Sequence, residues 1–235
     1  MDCDLPITVR SIQRILLDLK FKRSKIKKIP EMTRRHEELR IEFAENYVDL
    51  GSKWKIVIFT DEKKFKLSGP NGYAYYWHDI SKNEPELLSP TKRQEKGFMV
   101  WAGFSSLGQI ELIRLDRLIN AETYSNYFNN VILPAIHQKH GETFIFQQDN
   151  APIHFANTTQ NWMDLQNIER IKWPSNSPDL NPMENIWGII SHEVYHGGTR
   201  YKDKNTLWDT IQDVWNNITP ETFHNLVKSM KKRCT

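Results

Sequence analysis

The 235-residue chain has only two cysteines, Cys3 and Cys234, one near each end. They form no CxxC pair and no disulfide framework, which fits a reducing compartment such as the cytosol or nucleus. No apolar run approaches the eighteen or so residues that a membrane span needs, so no membrane partner is expected. The opening Met1-Asp-Cys-Asp-Leu-Pro6 is acidic and lacks an apolar stretch, so it is not expected to act as a secretory signal. Asn157-Thr-Thr and Asn217-Ile-Thr match glycosylation acceptors, but no signal is expected to deliver them to the compartment that would use them. Internal repeats and low-complexity tracts are lacking too. A large excess of one charge sign is also missing, the net charge being +3.

Against these gaps stand eight Trp and eleven Phe, with 39% hydrophobic and 26% charged residues. That is ordinary globular usage, enough for one large domain or one and a half smaller ones. The small net charge is unevenly spread. Residues 1–40 carry eleven Lys/Arg against six Asp/Glu, and the rest of the chain is close to neutral. A basic head on a near-neutral body suits contact with a phosphate backbone, a solvated basic face being the alternative.

Thr8 is placed to cap a short helix in which Val9, Ile12, Ile15, Leu16 and Leu19 recur at helical spacing. Arg10 and Arg14 fall on its polar side, and Lys20, Lys22, Arg23, Lys25, Lys27 and Lys28 follow as a basic tail. These eight are the candidate DNA-binding residues. One such helix matches the last helix of a helix-turn-helix, not a whole one. A second helix is predicted from Thr33 to about Leu50.

From Trp54 the pattern changes. Lys55–Thr60 reads as a buried strand ending at Asp61, with a second strand starting near Phe65 and a turn at Gly69-Pro-Asn-Gly72. Gly97–Phe104 and Gln109–Arg114 flank Ser105–Gly108 as a hairpin. A helix is predicted from Asn120 to about His137, then a strand at Thr143–Phe146 that delivers Asp149 just past its end. Helices are predicted at about 155–166, 181–196, 205–217 and 220–232, with a short strand near Ile168–Lys172. This order suits an α/β fold, a mixed sheet covered by helices on both faces. Trp101, Trp162, Trp187, Trp208 and Trp215 are read as core packing rather than base-stacking platforms.

Three carboxylates then draw attention. Asp61 and Asp149 each follow a strand, and Glu184 opens a helix in which Asn181 fits the N-cap and Pro182 the first position. If the three elements meet, three like charges converge, and such groups raise one another's pKa unless a cation sits among them. Hard oxygen ligands suit Mg²⁺ or Mn²⁺, and two ions about 4 Å apart serve phosphodiester chemistry. Each residue also has a plain reading: Asp61 and Asp149 as turn formers, Glu184 as the capping partner of Asn181, Asn150 and His154 as loop residues.

The joint context carries more weight than the single residues. Thr-Asp-Glu at 60–62, Gln-Gln-Asp-Asn-Ala-Pro-Ile-His at 147–154 and Trp-Pro-Ser-Asn-Ser-Pro-Asp-Leu-Asn-Pro-Met-Glu-Asn-Ile-Trp at 173–187 closely resemble the mariner superfamily of DDE transposases. The 34 residues between Asp149 and Glu184, with a terminal Glu rather than Asp, look like its Tc branch. Val100-Trp-Ala-Gly103 and Met230-Lys-Lys-Arg-Cys234 look like that branch too. The resemblance spans roughly residues 5–234. It implies an RNase H-like fold over 51–235, with Asp61, Asp149 and Glu184 as catalytic, metal-binding residues for two Mg²⁺ or Mn²⁺ ions. Asn150 and His154 are candidate support for that site. It further implies double-stranded DNA partners (transposon ends and target), a homodimer when active, and action in the nucleus. Cleavage at the element ends would be followed by attack of the freed 3′-hydroxyl on target DNA.

The pattern departs from the family at the front. Members carry two helix-turn-helix units, whereas Pro6–Lys28 resembles only the final helix and basic linker of the second. Residues 1–50 are therefore read as a remnant of the DNA-binding region plus a helix, and the chain as an N-terminally truncated copy with impaired targeting. A catalytically inactive DNA-binding relic is the alternative. A rival motif, His192-Glu-Val-Tyr-His196, matches the HExxH of zinc proteases. It is rejected because Thr199 and Lys202 stand where the extended motif needs Gly and His, and Gly197-Gly198 ends the helix.

Overall fold

The structure, a computed structural model, describes residues 8–18, 32–69, 96–115 and 121–235. The basic run Lys20–Lys28, Cys3 and the turn residues after Gly69 lie outside the described residues. The chain divides into two compact units, Met1–Met32 and Thr33–Thr235. In the first, α1 (Val9–Asp18) holds Arg10 and Arg14 exposed. The second holds the sheet and its helices.

Helix α2 (Arg34–Tyr47) begins where Thr33 caps it: the His36 N–H donates to Thr33 Oγ1, and the Thr33 N–H donates back to His36 Nδ1. Its Phe43 is buried in the core of this unit. The sheet follows. Strand β1 (Val57–Lys66) pairs antiparallel with β2 (Gly97–Ser105), which pairs antiparallel with β3 (Gly108–Leu115). On the other side β1 pairs in parallel with β4 (Ile145–Gln147), and β4 with β5 (Glu169–Arg170), for an order β3-β2-β1-β4-β5. The hairpin read between β2 and β3 is present, and Gly108 closes it at φ 103°, where only glycine is unstrained.

Alternation along the strands sends side chains to two cores. Val57 and Phe59 of β1, Val100, Ala102 and Phe104 of β2 and Ile145 of β4 face one layer. That layer holds α7 (Met183–Val194), α8 (Lys204–Asn216), α9 (Pro220–Lys228) and α10 (Met230–Arg233). Ile58, Trp101 and Phe146 face the other way, against α3 (Ala121–Tyr127), α4 (Leu133–His140) and Met163 of α6 (Asn157–Leu165), which follows the short α5 (Pro152–Phe155). Trp101, Trp187 and Trp215 are buried and Trp162 and Trp208 pack against the cores, as the sequence reading expects.

Two elements differ from expectation. The strand expected to stop at Thr60 runs on to Lys66, because β2 pairs with it all the way to Lys66↔Gly97. The predicted second strand near Phe65 is the end of the first, and Asp61 lies mid-strand. The helix expected at 120–137 continues to His140 through a π-helical turn at Phe128–Ile132. Pro134 lies just beyond it; its missing N–H and its ring both disturb the regular ladder there.

Candidate active site

Parallel pairing between β1 and β4 ends at Phe59↔Gln147. Beyond that point β4 peels away, so the edge of β1 opens at Thr60 and Asp61 while the chain leaving β4 brings Asp149 alongside. That local ending explains how a mid-strand aspartate reaches a cleft. The cleft, about 340 Å³, is lined by Asp61, Asp149 and Glu184, with Asn150 and residues 173–178 forming a wall. The three carboxylates read from the sequence thus share one site.

A buried polar knot holds their three elements together. The Thr60 N–H donates to Gln147 Oε1 at 3.0 Å, and Thr60 Oγ1 donates to the Gln147 carbonyl at 2.7 Å. Asn181 Nδ2 donates to the Thr60 carbonyl at 3.1 Å, while Asn181 Oδ1 accepts the Met183 N–H at 3.0 Å. One residue before Asp61 is therefore tied both to the end of β4 and to the start of α7. The helix starts at Met183 with Pro182, not Asn181, at its N-cap, one residue later than the sequence reading placed it; the Asn181 side chain, just outside the cap, accepts the first helical N–H. Glu184 sits in the first turn.

Each aspartate has its own donors. Asp61 Oδ2 accepts the indole N–H of Trp187 at 2.9 Å, from the turn of α7 after Glu184. Burial, then the charge of Glu184, then that of Glu62 push the Asp61 carboxyl up to about 7. Asp149 Oδ1 accepts the Ala151 N–H at 2.9 Å and lies 2.8 Å from His154 Nδ1. Burial acts to raise Asp149, but the His154 and Ala151 hydrogen bonds outweigh it and hold the carboxyl below its usual range. Burial would lower His154; the bond to Asp149 and the proximity of Glu62 overcome it and raise it to about 10. Asn150 braces the wall, its Nδ2 donating to the Trp173 carbonyl at 2.9 Å and to Ser175 Oγ at 3.0 Å.

The loop before α7 is anchored from outside. Arg40 of α2 grips Asp179 with two bonds of 2.8 and 2.6 Å, a bidentate pair. Arg233 of α10 donates to the Asp179 carbonyl and to Asn185 Oδ1, each at 2.6 Å. Helices far apart in sequence therefore set the position of Glu184.

Glu62 and the indole of Trp187 were not singled out from the sequence. Alternation sends Glu62 to the face opposite Asp61, and only the path of the chain after β4 brings Asp149 and His154 to it. Trp187 carries a signal that was available: it lies three residues after Glu184, on the same helix face. Trp187→Phe keeps an aromatic ring against Phe65, whose centroid is 5.9 Å away, and deletes the donor to Asp61. It is expected to cost about 1–3 kcal/mol at pH 8, where Asp61 is charged, read from denaturant melts.

The HExxH geometry does not form. Helix α7 ends at Val194, His196 lies in the following short turn, and Gly197 has φ 65°. His192 is 73% exposed and its Nδ1 faces its own neighbour Glu193 at 2.9 Å. The two rings still lie edge to face with centroids 5.8 Å apart, but both are exposed and His196 stands off the regular helix.

Comparison with known proteins agrees with this architecture. The family of DDE superfamily endonucleases matches residues 56–208. The chain is 36% identical to the Tc3 transposase of Caenorhabditis elegans over 90% of its own length and 63% of that protein's, so it spans less than two thirds of that relative. Among solved structures it resembles the mariner Mos1 paired end complex with Mg, at TM-score 0.78 and 19% identity over 96% of this chain and 68% of that one. It also resembles the catalytic domain of Mos1 mariner transposase, at TM-score 0.71 and 19% identity, covering 88% of this chain and 94% of that domain. These similarities give the sheet and its helices as the RNase H-like fold expected from the motifs.

Proposed function

The chain belongs to the DDE superfamily endonucleases, and from that premise we propose that it is the catalytic part of a cut-and-paste DNA transposase. It would cleave phosphodiester bonds at transposon ends and join the freed 3′-hydroxyl to target DNA. The observation that carries the reading is the meeting of Asp61, Asp149 and Glu184 in one cleft, with Asp61 raised to about 7. A carboxylate cluster that holds a proton near neutrality is short of positive charge. The donor set, all carboxylate oxygen, fits Mg²⁺ or Mn²⁺.

Asp61, Asp149 and Glu184 would hold the ions, two in this reading. When bound, the metal supplies Lewis-acid activation of the attacking oxygen and charge stabilisation of the phosphoryl group. The chain's own residues supply geometry. Thr60, Gln147 and Asn181 keep the three carboxylate-bearing elements in register. Trp187 and His154 fix one oxygen of each aspartate. Asn150 holds the wall against which a DNA strand would lie. A wrong placement of about 1 Å at such a site costs orders of magnitude in rate, which gives this buried scaffold its purpose.

The partners follow from the same reading. A Mos1 relative is seen as a paired end complex with Mg, which supports transposon-end DNA, a divalent ion and a dimeric active form for this chain. Arg10 and Arg14 on α1, with Lys20, Lys22, Arg23, Lys25, Lys27 and Lys28, are proposed phosphate contacts. The nucleus is the proposed place of action. A non-catalytic relic is disfavoured because all three carboxylates are retained and line one cleft.

The test is strand joining. A labelled duplex with a free 3′-hydroxyl is incubated with supercoiled plasmid and the full chain, in Mn²⁺ and in EDTA. Label joined to plasmid in Mn²⁺ alone is the expected result. Nicking without joining would reduce the assignment to an endonuclease, and DNA binding with neither would favour the relic.

A further inference from the structure

We propose that Glu62 and His154 act as a positioning pair that fixes the rotamer of Asp149, committing one of its oxygens to the protein and presenting the other to the cleft. The inference rests on the reading of Asp149 as a metal ligand and deepens it. His154 Nδ1 lies 2.8 Å from Asp149 Oδ1 and 3.2 Å from the Asp149 carbonyl oxygen. Both are acceptors, so Nδ1 carries the proton. With the Ala151 N–H at 2.9 Å, two donors converge on Oδ1. Among the described residues Oδ2 receives no such bond.

The imidazole is itself held. Its side chain is 2% exposed, its ring lies against Tyr124 with centroids 4.8 Å apart, and Nε2 is buried without an aligned hydrogen bond. The nearest charge to Nε2 is Glu62 Oε1, at 3.4 Å. Glu62 is 17% exposed and belongs to the face of β1 opposite Asp61, registered against the buried Trp101. Consecutive residues of one strand thus serve two aspartates' surroundings: Asp61 lines the cleft, and Glu62 stands behind the histidine that holds Asp149. A carboxylate behind a ring whose other nitrogen orients a ligand is a recurrent way to set ligand geometry, with losses of about 10–100-fold in metal affinity or activity when it is removed.

The same groups present a competing arrangement, since one ligand atom from each of Glu62, Asp149 and His154 lies within 4.8 Å of the others. Direct ligation of a cation by all three is therefore an outcome the experiment must separate. Mn²⁺ binding to the metal-free, DNA-free full chain, followed by the loss of the free-ion EPR signal, does so alongside thermal melts. Asp149→Asn is expected to lose binding. Glu62→Gln, nearly isosteric, is expected to melt as the parent and bind Mn²⁺ about 10–100-fold more weakly. His154→Ala weakens binding similarly, and His154→Asn, which returns an N–H donor near the Nδ1 position, recovers part of it. Parental affinity in Glu62→Gln and His154→Ala, with binding lost in Asp149→Asn, overturns the positioning pair and leaves the role of Asp149 intact. Parental affinity in Asp149→Asn overturns the reading beneath it. Complete loss in Glu62→Gln makes Glu62 a direct ligand and also overturns the proposal.

Discussion

Replacing Asp61 with asparagine is expected to make the metal-free chain more stable at pH 8 while abolishing DNA cleavage. The Asp61 carboxyl is raised from 3.8 to about 7 by burial first, then by Glu184 and Glu62. Below pH 3.8 it is protonated in the folded and the unfolded chain alike, and folding costs nothing extra. Between that value and about 7 the folded chain holds a proton that the unfolded chain has shed, so stability falls as pH rises. Above 7 the full cost is in place, about 4 kcal/mol at most. Asparagine removes the charge and keeps an oxygen that accepts the Trp187 N–H. Denaturant melts in EDTA are expected to show a gain for Asp61→Asn at pH 8 that shrinks at pH 5. Mn²⁺ is expected to stabilise the parent at pH 8 and not the variant. A variant less stable than the parent at pH 8 would mean that Asp61 is not held against its preferred protonation state. A site that is less stable because it is built for function fits a general pattern.

Much of this arrangement was legible in the residues. The apolar run before Asp61, the short run before Asp149 and the Asn-Pro opening before Glu184 each gave a local element that the fold contains. The hairpin over 97–114 was readable because alternation and the Ser-Ser-Leu-Gly turn agree. What was not legible depends on pairing. Nothing local says that β1 continues to Lys66; that is set by β2, which is distant in sequence. The approach of Asp149 to Glu62 depends on where β4 stops pairing. The π-helical turn at Phe128–Ile132 has Pro134 as its local sign, but the register that results follows from packing Phe128, Ile132 and Ile136 in one core. The ties from Arg40 and Arg233 to the Glu184 loop span 139 and 54 residues and could not be read from spacing. The basic segment Lys20–Lys28 lies outside the described residues, and its part in DNA contact stands on charge alone.

The second large effect concerns Asp149. It leaves the end of β4 with Oδ1 bound to His154 and Ala151, and its carboxyl is held below the usual range by those bonds despite burial. It is therefore charged across the working pH range and ready to bind a cation. On the proposed reading, alanine at this position removes a metal ligand, and it does so without opening the core, since the Asp149 side chain is 49% exposed. The fold is expected to survive. Metal-assisted charge stabilisation is worth several kcal/mol in such reactions, so the rate is expected to fall about 10³-fold or more. His196 is the natural control: it belongs to the HExxH motif, and it lies beyond the end of α7.

The most direct measurement is nicking of supercoiled plasmid by the purified full chain, in Mn²⁺, Mg²⁺ and EDTA, beside Asp149→Ala and His196→Ala. Nicking is expected to need the divalent ion, to be lost in Asp149→Ala and to be retained in His196→Ala. Nicking that persists in Asp149→Ala, or disappears in a folded His196→Ala, would contradict a carboxylate site built on Asp61, Asp149 and Glu184.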